Sequence, residues 1–227
     1  MSDPAPMAGF NGKARLFPLP NLVFFPHVMQ PLHIFEPRYR EMTADALAGD
    51  RFIALVLPAP GWEDDQAAAP ALHSIGCLGR IVAEQKLDDG RYNILLRGFA
   101  RIRILKELGS KKLYRIARTK VLDDIPLADE ALALQWRRTL IDKAPGWFPN
   151  QGEIVEQFSK LLHSDLALGT LADIITFALP LDAEFKQMLL EELDVAARLQ
   201  LLHDFLEGAK SANDASQRTF PPEFSVN

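Results

Sequence analysis

The stretch Leu16–Met42, LFPLPNLVFFPHVMQPLHIFEPRYREM, decides how the chain is read. Five prolines (Pro18, Pro20, Pro26, Pro31 and Pro37) divide a run rich in Leu, Val, Ile and Phe. Each proline removes a backbone donor and collides with the preceding helical turn, so no buried helix can run through here. Short strands with prolines at their ends or edges can. The spacing predicts strands over 16–19 and 29–35. A helix is expected over 36–47, entered through Pro37 at its first position, with Tyr39, Met42, Ala46 and Leu47 on its apolar stripe.

Working outward, FIALVL (52–57) is a continuous apolar run of strand length. PAPGWEDDQAAAPALHS (58–74) reads as a long loop of the kind that is often functional. Asp88-Asp89-Gly90 separates two strand-like runs and signals a hairpin. Arg101-Ile102-Arg103-Ile104 alternates with period two, which predicts one apolar and one basic face. A further strand is expected over 113–122. Six or seven short strands, one helix and tight turns imply a small closed barrel.

The second half has helical periodicity. Helices are expected over 129–143, 152–163 and 168–179, the last with Thr170 and Asp173 as a capping box. Asp182 and Asp194 are expected to cap two more. The fold class is thus α+β, a β-barrel of about six strands with a short helix, followed by a helical bundle. The expected boundaries are 14–123 for the barrel, 124–208 for the bundle and 209–227 for an extended or disordered tail. Charge divides the same way. Residues 13–122 carry 17 Lys and Arg against 11 Asp and Glu, whereas residues 123–227 carry 8 against 18.

Composition limits the function classes. Hydrophobic residues at 48% and charged residues at 24% fit a soluble globular protein. No stretch approaches the roughly 18 consecutive apolar residues of a membrane span. The N-terminus has no basic start followed by an apolar segment, so no secretory signal is expected. A single cysteine, Cys77, excludes an internal disulfide, and a reducing, cytoplasmic setting is expected. Cys77 lies inside an expected strand and reads as a buried, inert thiol. No phosphate-binding glycine motif and no hydrolase or zinc-protease motif occurs. The histidines (His27, His33, His73, His163 and His203) are scattered, so no metal and no cofactor is expected.

Two surfaces could bind something. The turn Phe25-Pro26-His27 and Trp62 in the long loop could offer apolar anchors, with Trp62 either an anchor for a partner or a lid over the barrel. Arg38, Tyr39 and Arg40 at the start of the first helix could form the rim, although Tyr39 and Arg38 also suit a structural role holding that helix to the barrel. The alternative is a basic barrel face of Arg97, Arg101, Arg103 and Arg115 that neutralises nucleic-acid phosphates. Aromatic stacking platforms are sparse around it, which argues against nucleic acid.

The opening stretch closely resembles the start of the Lon protease N-terminal (substrate-binding) domain family, where L-F-P-L-x-x-V-x-F-P leads to P-L-x-I-F-E-x-R-Y and a helix. IGCLGRIVAEQKLDDGRYNILLRGFARIRI is similar to its second hallmark. That hallmark is a G-x-x-[AG]-x-I strand, an acidic-glycine hairpin and a G-x-x-R-x-x-I strand. LADIITFALPLDAEFKQMLLEELDVAARLQLLHDFL resembles the helical part with its D-V-x-x-R-L pattern. The resemblance covers about residues 14–207 and implies a PUA-like barrel followed by a helical bundle. In the full proteases this region captures substrates, and ATPase and peptidase domains follow it. Neither the nucleotide motif nor the G-P-S-A-G nucleophile segment occurs here. The expectation is therefore a stand-alone, non-catalytic module that binds unfolded or partner polypeptide in protein quality control, alongside a protease or chaperone. An RNA-binding PUA-like domain is the alternative, and a docking adaptor a third reading.

Overall fold

The computed structural model describes residues 9–61, 70–143 and 160–218, with side chains through residue 208. Six strands and one helix fill the first half: β1 (Lys13–Pro18), β2 (Met29–Ile34), α1 (Pro37–Leu47), β3 (Phe52–Val56), β4 (Ile75–Lys86), β5 (Tyr92–Leu108) and β6 (Arg115–Leu122). Helices follow as α2 (Glu130–Lys143), α3 (Leu168–Ala178), α4 (Ala183–Glu191) and α5 (Val195–Arg218). Residues 160–162 are also helical.

β5 closes the barrel. It pairs with β4 from Tyr92 to Arg103 and with β6 from Arg101 to Leu108, while β6 pairs with β1, β1 with β3 and β3 with β4. The ring is thus β5-β4-β3-β1-β6-β5, and β2 adds to the first half of β5 outside it. Three register shifts insert Phe99, Val82 and Leu105 as extra residues. Such bulges bend and twist a strand, which lets one strand serve two sheet edges. The barrel interior takes one residue set from each ring strand, including Ala14, Leu16, Phe52, Ala54, Leu78, Ile102 and Ala117. Three alanines there fit the narrow lumen of a five-stranded ring.

The opposite face of β3, β4 and β5 carries a second core, shared with Tyr39, Met42 and Ala46 of α1 and with Val23, Phe24 and Phe25. Gly79 and Gly98 are cross-strand partners. A Cβ on Gly79 would lie 2.9 Å from the Phe24 ring, and one on Gly98 would collide with the Phe25 carbonyl oxygen. Only a pair of glycines lets the 23–28 segment cross the sheet this closely.

Pro37 opens α1 with Glu36 as N-cap, and the hairpin turn falls on Asp88-Asp89-Gly90 with Gly90 at φ 80°. Asp129, Asp182 and Asp194 cap α2, α4 and α5 through their carboxylates. The expected Thr170–Asp173 capping box does not form. α3 starts at Leu168 with no side-chain cap, and Asp173 is buried. The last helix runs to Arg218, so the expected tail boundary at 209 falls inside α5. Residues 62–69 of the expected 58–74 loop, Trp62 among them, and residues 152–159 of the helix expected over 152–163 lie outside the described residues. The described base of that loop is tied down by the Pro58–Leu72 bridge.

Barrel and bundle meet through ions. Arg101 on β5 donates to both carboxylate oxygens of Asp173 on α3, at 2.9 and 2.6 Å, and to the Leu190 carbonyl at 2.8 Å. Arg198 on α5 contacts Asp124 at 2.5 Å and Asp173 at 3.6 Å. Arg101, Asp173 and Arg198 are 2%, 1% and 0% exposed. Two arginines and two aspartates balance one another. Burial is the largest influence and disfavours the Arg101 charge, but Asp173 and Asp124 together help to outweigh it, and the net effect raises its pKa above the ordinary arginine value. The arginines of the G-x-x-R and D-V-x-x-R-L patterns are these two, and both are structural.

Candidate functional site

The first half of β5 extends past the ring, and there its two faces part. Tyr92, Ile94 and Leu96 are buried in the outer core. Asn93, Leu95 and Arg97 point the other way, in line with the barrel lumen, where no layer of described residues covers them fully. Cross-strand register places His33 and Gln85 beside Asn93, Pro31 and Ala83 beside Leu95, and Met29 and Arg80 beside Arg97. The polar row is linked by His33 Nδ1 and Asn93 Oδ1 at 2.7 Å and by Asn93 Nδ2 donating to Gln85 Oε1 at 3.4 Å. Met29 is 50% exposed, and beyond β2 Phe35 stacks on His33 with 60% exposure.

At the barrel mouth this face meets aromatic rings. Phe10 and Phe99 both pack edge-on to Phe52, with centroids 5.5 and 6.2 Å away. The Arg80 guanidinium lies 5.8 Å from the Phe52 centroid and that of Arg97 lies 5.3 Å from the Phe99 centroid. The result is an open three-row surface: two cations over aromatic rings, then an apolar row, then a polar amide row.

The free edge of β2 is a poor template for strand addition. Pro31 offers no N–H, and Gln30 Nε2 donates to the Pro31 carbonyl at 2.9 Å. The face, not the edge, is the available surface.

The expected anchors fare unevenly. Phe25 is fully buried, because its carbonyl crosses Gly98 and its side chain joins the outer core, so it cannot anchor a partner. His27 is exposed in the turn at φ 66°, and its N–H donates to the Gly98 carbonyl at the mouth end of the open face. Tyr39 is buried against Phe17 with centroids 4.2 Å apart, which fits the structural role. Arg38 is exposed, paired with Glu36 at 2.8 Å and stacked over Tyr39. Arg40 donates to the Gly90 carbonyl at 2.8 Å and braces the hairpin.

The basic face does not assemble. The Phe99 bulge inverts the alternation, so Arg97 faces the open surface while Arg101 and Arg103 lie on the opposite side of β5. Arg101 is consumed by Asp173, and Arg115 is held by Glu107 and the Pro70 carbonyl. Of these four arginines Arg103 alone is exposed. Nothing in this arrangement supports phosphate tracking.

Met29, Pro31, Ala83, Leu95 and Arg80 were not foreseen as site residues. The alternation of Tyr92–Arg97, large apolar residues against Asn93, Leu95 and Arg97, is the signal that could have marked the face. Cys77 is buried as expected, and burial pushes its thiol pKa up, which suppresses the thiolate. Among the described residues no group of His, Cys, Asp and Glu could hold a metal, and no helix is long and apolar enough to cross a membrane. A groove of about 460 Å³ between α2 and α5 is lined by Trp136, Ala197 and His203. Gln200 and His203 in its wall are both engaged with Asp204.

The family model described as the ATP-dependent protease La (LON) substrate-binding domain matches residues 13–208. Lon protease 2 of Myxococcus xanthus is 30% identical over 198 residues, which is 84% of this chain and 23% of that protein. Lon protease of Anaeromyxobacter dehalogenans is 29% identical, with 84% and 22% covered. The chain therefore spans about a quarter of the length of these relatives. Among solved structures, the N-terminal domain of Mycobacterium avium complex Lon protease superposes with a TM-score of 0.65 at 18% identity, covering 86% of this chain and 98% of that one. The Lon N-terminal domain protein from Xanthomonas campestris gives 0.59 at 21%, covering 85% and 97%.

Proposed function

Because the chain belongs to the family of ATP-dependent protease La (LON) substrate-binding domains, we propose that it is a non-catalytic recognition module that captures unfolded or partner polypeptide on the open β2–β5–β4 face. The observation that carries this reading is the row of exposed Pro31 and Ala83 flanking half-buried Leu95, with exposed Met29 beside it, on strands backed by the outer core. Apolar surface rimmed by polar groups is the physical requirement for binding chains that expose their own apolar residues. Rigid strands hold it without an ordering cost on binding. The work is recognition, for a protease or chaperone partner to act on, and the module itself is expected neither to hydrolyse ATP nor to cleave casein.

The test is titration of an alkylated, permanently unfolded model protein against wild type and a Met29→Asp, Leu95→Asp double variant. Both side chains lie on the open face, so the fold should persist by circular dichroism. Affinity should fall tenfold or more, in line with the loss of a good apolar anchor. Equal affinity with an intact fold refutes the site.

A further inference from the structure

We propose that the outer face of β6, with the second half of β5 and the start of β1, is a second docking surface, fitted to an acidic segment of a partner protein.

Arg103, the one exposed arginine of the four expected in a basic face, belongs to a different cationic surface. Cross-strand register sets Lys13, Arg118 and Lys106 in one row across β1, β6 and β5, and Arg103 opposite Lys120 in the next. All five are exposed, and among the described residues none of the five side chains has a hydrogen-bonding or ionic partner. β1, β5 and β6 contain a single acid, Glu107, and Arg115 holds it. Like charges directly opposed on a sheet destabilise it. Charged residues on strands often serve to protect a free edge. Arg118 protects none, because it is paired on both sides. Carboxylates seated among the five cations relieve the repulsion.

Size and chemistry select the ligand. Neighbouring strands lie about 5 Å apart and alternate residues about 7 Å apart, so the patch spans about 10 Å by 7 Å. Two or three carboxylates of one short segment cover that span. Leu105, the extra residue at the bulge between the two rows, is 55% exposed and offers an apolar contact that a polypeptide can fill. Neither row contains an aromatic side chain, so nucleic-acid bases would find no stacking platform. The Phe99 bulge puts these cations across β5 from the open face. A partner held here leaves the open face clear, and the docking is independent of what that face binds.

The experiment uses fluorescein-labelled dodecapeptides that share a central leucine and carry either glutamate or glutamine at alternate positions. Binding to the full chain is followed by anisotropy at about 50 mM and about 500 mM salt. The Glu peptide should bind at least tenfold more tightly than the Gln peptide at low salt, and high salt should shrink the gap, because exposed charges are screened. Lys106→Gln with Arg118→Gln should abolish the preference, whereas Arg118→Lys, which keeps the charge, should retain it. Arg138→Gln with Lys160→Gln removes the same charge from exposed positions in the second half of the chain and should leave Glu-peptide affinity within about threefold. So should Met29→Asp with Leu95→Asp, which alters the open face alone. Circular dichroism checks that each variant is folded. Equal binding of the two peptides to wild type overturns the inference. So does an equal loss in the Arg138 and Lys160 variant, since net charge alone would then explain the effect. Loss in the open-face variant with the Lys106 and Arg118 variant unaffected also overturns it, because the acidic segment would then sit on the open face. Tighter binding of a single-stranded oligonucleotide or of phosphatidylserine vesicles, lost in the Lys106 and Arg118 variant, would give the surface to nucleic acid or membrane and overturn it as well.

Discussion

Asp173→Ala tests whether the ion cluster holds barrel and bundle together. Asp173 is 1% exposed and accepts two hydrogen bonds from Arg101 at 2.9 and 2.6 Å, with Arg198 at 3.6 Å. Its removal leaves Arg101, 2% exposed, with the Leu190 carbonyl and a 3.3 Å contact to Asp124, which Arg198 already occupies. One carboxylate then faces two buried guanidiniums. Breaking a buried pair from one side costs about 3–5 kcal/mol, because the remaining charge stays desolvated. For a chain of this size that lowers Tm by about 10 °C. Thermal and urea denaturation followed by circular dichroism would measure it. Replacing both partners, Arg101→Met with Asp173→Leu, should recover much of the loss, since no unpaired charge remains from that pair. If Asp173→Ala melts within about 2 °C of wild type, the cluster does not hold the halves together and the reasoning fails.

Gly98→Ala puts a methyl against the Phe25 carbonyl, a backbone atom that cannot rotate away, and should cost about 3 kcal/mol in urea unfolding. Tyr39→Ala removes a buried ring packed on Phe17 and should also cost about 3 kcal/mol, with α1 loosening first in hydrogen exchange. Lys112 first, and then the Tyr114 hydroxyl at 2.7 Å, hold the Asp45 carboxyl below its usual range. A depressed folded pKa stabilises above the unfolded value near 3.8 and is lost as pH falls through the folded value. Asp45→Asn should therefore melt below wild type at pH 7, and the gap should close as the pH falls below that value; a constant gap would contradict the assignment. In the same contact, burial and then Asp45 push Tyr114 up to about 12, so ultraviolet titration should find one tyrosine ionising there, and Asp45→Asn should lower it.

The prolines, the hairpin glycine and the capping aspartates act through neighbouring backbone, so the sequence by itself determined the strands, α1, the turn at Asp89-Gly90 and the starts of α2, α4 and α5. Family membership was equally legible, because the resemblance lies in ordered runs of residues along the chain. The site was not. One extra residue at Phe99 inverts the faces of β5, and a bulge is a property of two paired strands. It separated Arg97 from Arg101 and Arg103, broke up the expected basic face and aligned Arg97 with Arg80. Phe25 looked available in a turn, and only the crossing over Gly98 buries it. Asp173 looked like a helix cap until folding brought Arg101 to it from 72 residues away. Local backbone preferences are written in consecutive residues, whereas burial and charge pairing depend on which distant segments the closed barrel brings together.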